Sequence, residues 1–286
     1  MTIKDLLDAA AGQARTLGAD ATTWDARLLA AHLLGGRNPL GIDIRAEAEA
    51  GFCDRFATLW NRRLSGVPVQ HLIGDWDFYG RTFRVDGRAL VPRPETEILV
   101  TEALREAPGA RRVLDAGTGS GNIIVTYLLE RPEARGVALD ISLDALALAR
   151  ENATRHGVLP RIDLLASDWL SALSPVPFDV LLSNPPYLSL GEAPHLPPTV
   201  RDHDPRRALF AGQDGLEAIR HLLETAPKFV ASGAPLVFEI GFGQAAAVQA
   251  EVRRRPAWEF LRIVPDLEGI PRVALARRTG AAAPGA

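Results

Sequence analysis

Cysteine and lysine are almost absent from this chain. The single cysteine, Cys53, excludes an intramolecular disulfide and any zinc site built on several thiolates. Its helical, apolar neighbourhood reads as packing, and a lone thiol fits a reducing cytoplasm. Lysine occurs only at Lys4 and Lys228, so arginine carries nearly all the positive charge, and no long basic run interrupts a net charge of −3. The electrostatic footprint of strong nucleic-acid binding is therefore missing. No apolar run approaches the roughly 18 residues of a membrane span, and Lys4 and Asp5 stand where a signal peptide needs an apolar core. No membrane association is expected. His32, His71, His156, His195, His203 and His221 are scattered without ligand spacing, which disfavours a metal site.

What is present suits a globular protein. Apolar residues make up 47% and charged residues 23% of 286 residues, enough to bury cores without metals or disulfides, and the length fits one domain of about 200 residues plus a smaller one. Residues 1–73 read as a small helical bundle. Ile3, Leu6, Leu7, Ala10, Ala14 and Leu17 follow helical spacing behind Thr2, with Asp5 placed for a capping box. A second helix begins near Thr23 and stops at Gly35-Gly36. A third carries Phe52, Phe56, Leu59 and Trp60 and stops at Gly66.

Between 74 and 91 the period shortens to two at Trp76, Phe78, Phe83 and Val85, broken by Gly80, which predicts a β-hairpin joining two domains. Pro94 is placed as the first residue of a helix through Ile98 and Leu99. Over 92–278, apolar runs at 113–116, 136–140, 162–165, 180–183 and 235–239 alternate with helical patterns, the signature of βαβ units and a mostly parallel sheet. The last two runs, 260–264 and 272–276, are too close for a helical crossover and should pair antiparallel. The tail, 279–286, is expected to be disordered.

The strand ending in Asp115 runs into Ala116-Gly117-Thr118-Gly119-Ser120-Gly121. Glycines at 117, 119 and 121 permit a tight turn and leave no side chain between backbone and ligand. Asn122 stands where the dinucleotide pattern wants a third-position glycine, and the lysine of a phosphate loop is missing. Asp140 closes the next strand, where a carboxylate can accept both hydroxyls of a ribose or else cap the following helix, a task Ser142 can perform itself. Asp168-Trp169, after the third strand, either brackets an adenine or is a packed loop edge. The strand 178–183 then ends in Asn184-Pro185-Pro186-Tyr187. Two prolines cannot continue a central strand and fix an extended turn, so the Asn184 side chain and the Pro185 carbonyl can converge on one point as two acceptors able to hold a planar NH2 that faces a methyl donor, with Tyr187 able to stack on the flat group; the alternative is a purely structural loop.

Together 115–121, Asp140 and 184–187 resemble the class I methyltransferase set for amide and amine nitrogens, which includes adenine-N6 DNA and guanine-N2 ribosomal RNA enzymes. The stretches Gly74 to Gly80, Leu90 to Glu97, Asp204 to Leu209, Gly212 to Leu216, Glu239 to Gly241 and Gly269 to Arg272 are similar, over nearly the whole chain, to the bacterial release-factor glutamine methyltransferases, the HemK family. One departure is Asp204, where the family usually has glutamate; the charge is kept.

The resemblance implies an α/β class I S-adenosylmethionine-dependent methyltransferase: a Rossmann-like, seven-stranded, mostly parallel sheet with an N-terminal helical substrate-docking bundle. It implies methyl transfer to the side-chain nitrogen (N5) of the glutamine in the Gly-Gly-Gln motif of class 1 peptide-chain release factors, leaving S-adenosylhomocysteine. Gly117, Thr118, Gly119, Ser120, Gly121, Asp140, Asp168, Trp169 and Asn184 would hold the cofactor. Asn184, Pro185, Pro186 and Tyr187 would hold the substrate, with Asn184, Pro185 and Tyr187 catalytic. The rival substrates are a ribosomal-protein glutamine and a nucleic-acid base. A non-catalytic binding module is disfavoured because Asn184 and Asp140 are both present.

Overall fold

The structure is a computed structural model that describes residues 1–280. It divides into two compact units, one made of Met1–Trp76, Val85–Gly87 and His195–Asp204, the other of Asp77–Arg84, Arg88–Pro194 and the chain from Pro205 onward.

The first unit is built on helices α1 (Ile3–Leu17), α2 (Thr23–Leu33), α3 (Ala50–Leu64) and α4 (Val69–Ile73). Thr2 and Asp5 form the expected capping box, and Thr22 and Asp25 form a second one on α2. Ile3, Leu7, Ala26, Leu29, Phe52, Phe56 and Trp60 fill its core. Asp25 has a second task. The Oδ2 that accepts from the Thr22 amide at 2.8 Å also accepts from Arg63 Nε at 3.1 Å, and Arg63 is buried. Arg63 also donates to the Asp20 carbonyl, so one guanidinium ties α3 to the start of α2.

A hairpin of β1 (Asp75–Phe78) and β2 (Arg81–Arg84) follows. Both residues of its loop, Tyr79 (φ 53°) and Gly80 (φ 69°), have the positive φ that a two-residue type I′ turn requires. The second unit continues with α5 (Thr96–Glu106), β3 (Arg112–Ala116), α6 (Asn122–Glu130), β4 (Arg135–Asp140), α7 (Leu143–Arg155), β5 (Ile162–Ala166) and β6 (Val180–Ser183). After the short α8 (Pro198–Arg201) of the first unit come α9 (Arg206–Leu209), α10 (Glu217–Thr225), β7 (Pro235–Glu239), α11 (Ala245–Arg253), β8 (Trp258–Pro265) and β9 (Pro271–Arg278).

Among the described residues, β3 to β9 form one seven-stranded sheet in the order β5-β4-β3-β6-β7-β9-β8; β9 is antiparallel to both its neighbours and every other pairing in this sheet is parallel. Alternate residues of β3, β6 and β7 enter opposite cores: Val113, Val180, Leu182 and Val237 on the face of α5 and α6, Leu114, Leu181, Leu236 and Phe238 on the face of α10 and α11. Strand order reverses between β3 and β6, which opens a crevice at their carboxyl ends.

Helix α5 begins at Thr96, not at Pro94 as the sequence predicts. The Thr96 and Glu97 amides close i to i+3 bonds onto the Arg93 and Pro94 carbonyls, so the prolines shape a tight turn before the helix. Of the tail expected to be disordered, 281–286 lie outside the described residues, whereas the Thr279 amide donates to the Ala257 carbonyl at 2.9 Å. Among the described residues no helix is long and apolar enough to cross a membrane, and no group of three or more His, Cys, Asp or Glu could hold a metal ion.

Removing Arg63 leaves the Asp25 carboxylate without its buried counter-ion, a loss of about 3–5 kcal/mol. Arg63→Ala should therefore lower the urea midpoint for loss of the N-terminal helices by circular dichroism, while the exposed neighbour Arg62→Ala should not.

Candidate functional site

Two strand ends make the site. At the end of β3 the amides of Gly117 and Thr118 donate to the Leu139 carbonyl at 2.9 and 2.8 Å, so the glycine turn is clasped to the end of β4. Asp140 completes the clasp: Oδ2 accepts from the Gly119 amide at 2.9 Å and Oδ1 from the Ser142 amide at 2.9 Å. The cap of α7 is Ser142 itself, whose hydroxyl accepts from the Ala145 amide. Each Asp140 oxygen retains a second lone pair. Gly121 serves packing: a Cβ there would stand 3.1 Å from the Ala149 Cβ and 3.2 Å from its Cα, so only glycine lets α6 approach α7 this closely.

Asp115, inside the turn, is buried and accepts from the Thr118 hydroxyl at 2.7 Å. Burial pushes its carboxyl up to about 7, against the pull of the Thr118 bond and with a further push from the Asp140 charge.

At the end of β6, the Ser183 hydroxyl donates to the Ala116 carbonyl at 2.7 Å and locks the two strand ends together. Asn184 Nδ2 lies 3.3 Å from Thr96 Oγ1, and Thr96 Oγ1 lies 2.6 Å from Glu239 Oε2. The Tyr187 hydroxyl reaches the other carboxylate oxygen at 3.4 Å. Burial beside Glu239 raises the Tyr187 phenol far above its ordinary value, so it is no base. Burial also pushes the Glu239 carboxyl up to about 7; the Thr96 bond and the Arg272 charge oppose that push, and the Glu95 charge adds to it. Gln244 fixes the loop beyond the motif, with Nε2 donating to the Tyr187 carbonyl (2.9 Å) and the Gly215 carbonyl (3.2 Å) and Oε1 accepting from the Gly241 amide (2.9 Å). Gly215 has φ 73°, and a Cβ there would collide with the Tyr187 carbonyl at 2.3 Å, which accounts for the glycine.

A cavity of about 820 Å³ opens between these ends. Gly117, Thr118, Gly119, Ser120, Asp140, Asp168, Trp169, Asn184 and Pro186 line it; Gly121, Pro185 and Tyr187 stand outside the lining. Trp169 has φ 50°, a left-handed conformation that a bulky residue adopts only under constraint, and its ring lies 5.7 Å from the His221 ring at the wall.

Sequence reasoning missed the rest of the wall. Residues 88–91, the end of the stretch read as a linker, line it together with Pro92 and Arg93, as do His221, read only as a scattered histidine, and Arg206 and Arg207, read only as parts of a family stretch. The Arg206 and Arg207 segment reaches the wall because the Leu188 amide donates to the Leu209 carbonyl and the Ala211 amide to the Leu188 carbonyl. Thr96 and Glu239 were visible only as parts of family stretches, since nothing local marks a threonine on a helix or a glutamate ending a buried strand as partners of an asparagine far along the chain.

The family "PrmC N-terminal domain" matches residues 5–74 and the family "Methyltransferase small domain" matches residues 94–194. The release factor glutamine methyltransferase of Cereibacter sphaeroides is 41% identical over 280 residues, covering 97% of this chain and 99% of its own length. That of Deinococcus radiodurans is 39% identical, covering 98% of this chain and 100% of its own. Among solved structures, the hMettl16 catalytic domain has a TM-score of 0.58 at 15% identity, covering 82% of this chain and 84% of that one, and shares the fold alone. At such identity, with near-complete coverage in both directions, the chain belongs to the release factor glutamine methyltransferase family.

Proposed function

We propose that this chain transfers the methyl group of S-adenosylmethionine to the side-chain amide nitrogen of the glutamine in the Gly-Gly-Gln loop of class 1 peptide-chain release factors. The observation that carries the reading is the convergence, at one crevice, of a ribose-type carboxylate with a glycine turn and of an asparagine held by its NH2 end. The donor set fits the cofactor: Asp140 has lone pairs for a ribose, the backbone from Gly117 to Ser120 admits close approach, and Trp169 with His221 offers aromatic faces to an adenine. Bound there, S-adenosylmethionine supplies an electrophilic methyl carbon.

The residues of this chain supply geometry. Asn184 Oδ1, at the cavity wall, and the carbonyl of the adjacent Pro185, whose residue stands outside the lining, accept the two hydrogens of the substrate NH2, localise its lone pair, and hold it at the cavity edge. Neither these two groups nor Tyr187 is basic, so the nitrogen sheds its proton to solvent as the methyl arrives. The helical unit carries no such chemistry and serves to dock the release factor. A single thiol, Cys53, suits a reducing cytoplasm.

Asp140→Ala should weaken S-adenosylmethionine binding by about 1.5–3 kcal/mol, the loss expected for hydrogen bonds to a charged acceptor. Calorimetry returning wild-type affinity for a folded variant removes Asp140 from the cofactor site.

Radiolabel transfer in a mixture of release factor, DNA and ribosomal RNA should mark the release factor alone. A release factor with asparagine in place of the loop glutamine is shorter by one methylene, which withdraws the nitrogen by more than about 1 Å and should slow methylation on the order of a hundredfold. Label on nucleic acid and none on the protein would overturn the substrate assignment.

A further inference from the structure

Three separate elements meet behind Asn184, and the count of hydrogens along them decides an orientation that an asparagine cannot choose alone. Thr96 lies at the head of α5, Asn184 follows β6, and Glu239 closes β7. Thr96 Oγ1 sits 2.6 Å from Glu239 Oε2 and 3.3 Å from Asn184 Nδ2. A hydroxyl has one hydrogen to give, and a carboxylate only accepts. That hydrogen is therefore committed to Glu239, and Thr96 turns nothing but lone pairs toward Asn184. The amide must answer with its NH2, which leaves Oδ1 for the cavity that Asn184 lines. Reversed, the amide would set two donors against a substrate NH2 that is itself two donors.

We propose that Glu239, acting through Thr96, is a positioning residue for methyl transfer: it fixes the Asn184 amide so that Oδ1 accepts from the substrate nitrogen, and through the Tyr187 hydroxyl it steadies the far end of the same motif. This rests on the reading that Asn184 receives a planar NH2. The burial of Glu239 supports it. A carboxylate in that place is penalised by desolvation, and an apolar residue ending β7 would avoid the penalty, so packing alone does not account for it. The groups that face it are the Thr96 and Tyr187 hydroxyls and the charges of Glu95 and Arg272.

Protonation reverses the logic. With its carboxyl held up at about 7, Glu239 gains a hydrogen as pH falls and donates it to Thr96, whose own hydrogen is then free to point at Asn184 and favour the inverted amide. The rate of methyl transfer should therefore drop as pH is lowered through about 7.

The test compares single-turnover methylation of release factor by the full-length wild type, Thr96→Val, Thr96→Ser and Glu239→Gln across the neutral range, with calorimetric cofactor affinity for each. Thr96→Val keeps shape and loses the hydroxyl; it should react about 30- to 100-fold more slowly with cofactor affinity within about twofold of wild type. Thr96→Ser, which restores the hydroxyl, should stay within about threefold. Glu239→Gln cannot titrate and should lose the acid limb. Thr96→Val at the wild-type rate, or an acid limb that Glu239→Gln leaves unchanged in depth, overturns the proposal, since the buried Asp115 of the cofactor turn, also held up at about 7, is common to every variant, while the wild-type label on release factor leaves the function standing. Should Thr96→Val fail to fold, the pH profile of Glu239→Gln decides alone. Wild-type label on nucleic acid in place of release factor overturns the substrate reading, and the same variants then decide the orientation on a base amino group. A wild type that labels neither overturns both.

Discussion

The parallel pairing of β3 with β6 is the constraint on which the rest of the site depends. Register sets Val113 beside Val180, Leu114 beside Leu181 and Asp115 beside Leu182, so the two strands end level with each other, and the Ser183 hydroxyl on the Ala116 carbonyl fixes the last step. Both strands are buried on both faces, apart from Arg112 at the start of β3. Sliding either by one residue would turn its apolar set out of one core and into the other. The glycine turn and the Asn184 turn are thus held at one crevice by packing far larger than either, which lets a short loop of two prolines act as a rigid instrument.

Around that crevice the protein buries two carboxylates, Asp115 behind the cofactor turn and Glu239 behind the substrate turn. Burial raises both to about 7, well above their ordinary values. The sign of the linkage follows. A carboxyl whose folded pKa exceeds its unfolded pKa contributes stability that is fully present below the unfolded value and is lost as pH rises through the folded value, here from about 4 to about 7. Near neutrality the fold therefore bears an electrostatic cost at these two positions. The left-handed backbone of Trp169 at the cavity wall adds a conformational cost of the same local kind. Such strain survives because the surrounding sheet is closely packed, and it is concentrated where groups must be aimed.

Much of this is legible in the sequence. Helical spacing with Thr2 and Asp5 gave α1, and period-two aromatics around Gly80 gave the hairpin. Alternating apolar runs gave the parallel strands almost to the residue, and short spacing gave the antiparallel pair at the edge. These features are local: propensity, capping and side-chain period act over a few residues, so a single sequence contains them. The start of α5 was misplaced because proline is as well suited to the turn before a helix as to its first position.

Asp140, the glycine turn and the asparagine turn carry their chemistry in their own types and spacing, and the sequence by itself determined them as candidates. The tertiary structure alone decided what stands behind them. Glu239 joins Thr96 across 143 positions and Thr96 joins Asn184 across 88. The wall also gains His221, Arg206 and Arg207 from segments that the sheet brings round. No periodicity records such pairings, because they follow from where strands end in space. Which end of an amide faces a substrate is set by where a single hydroxyl hydrogen goes, and that depends on a carboxylate placed by the order of the sheet.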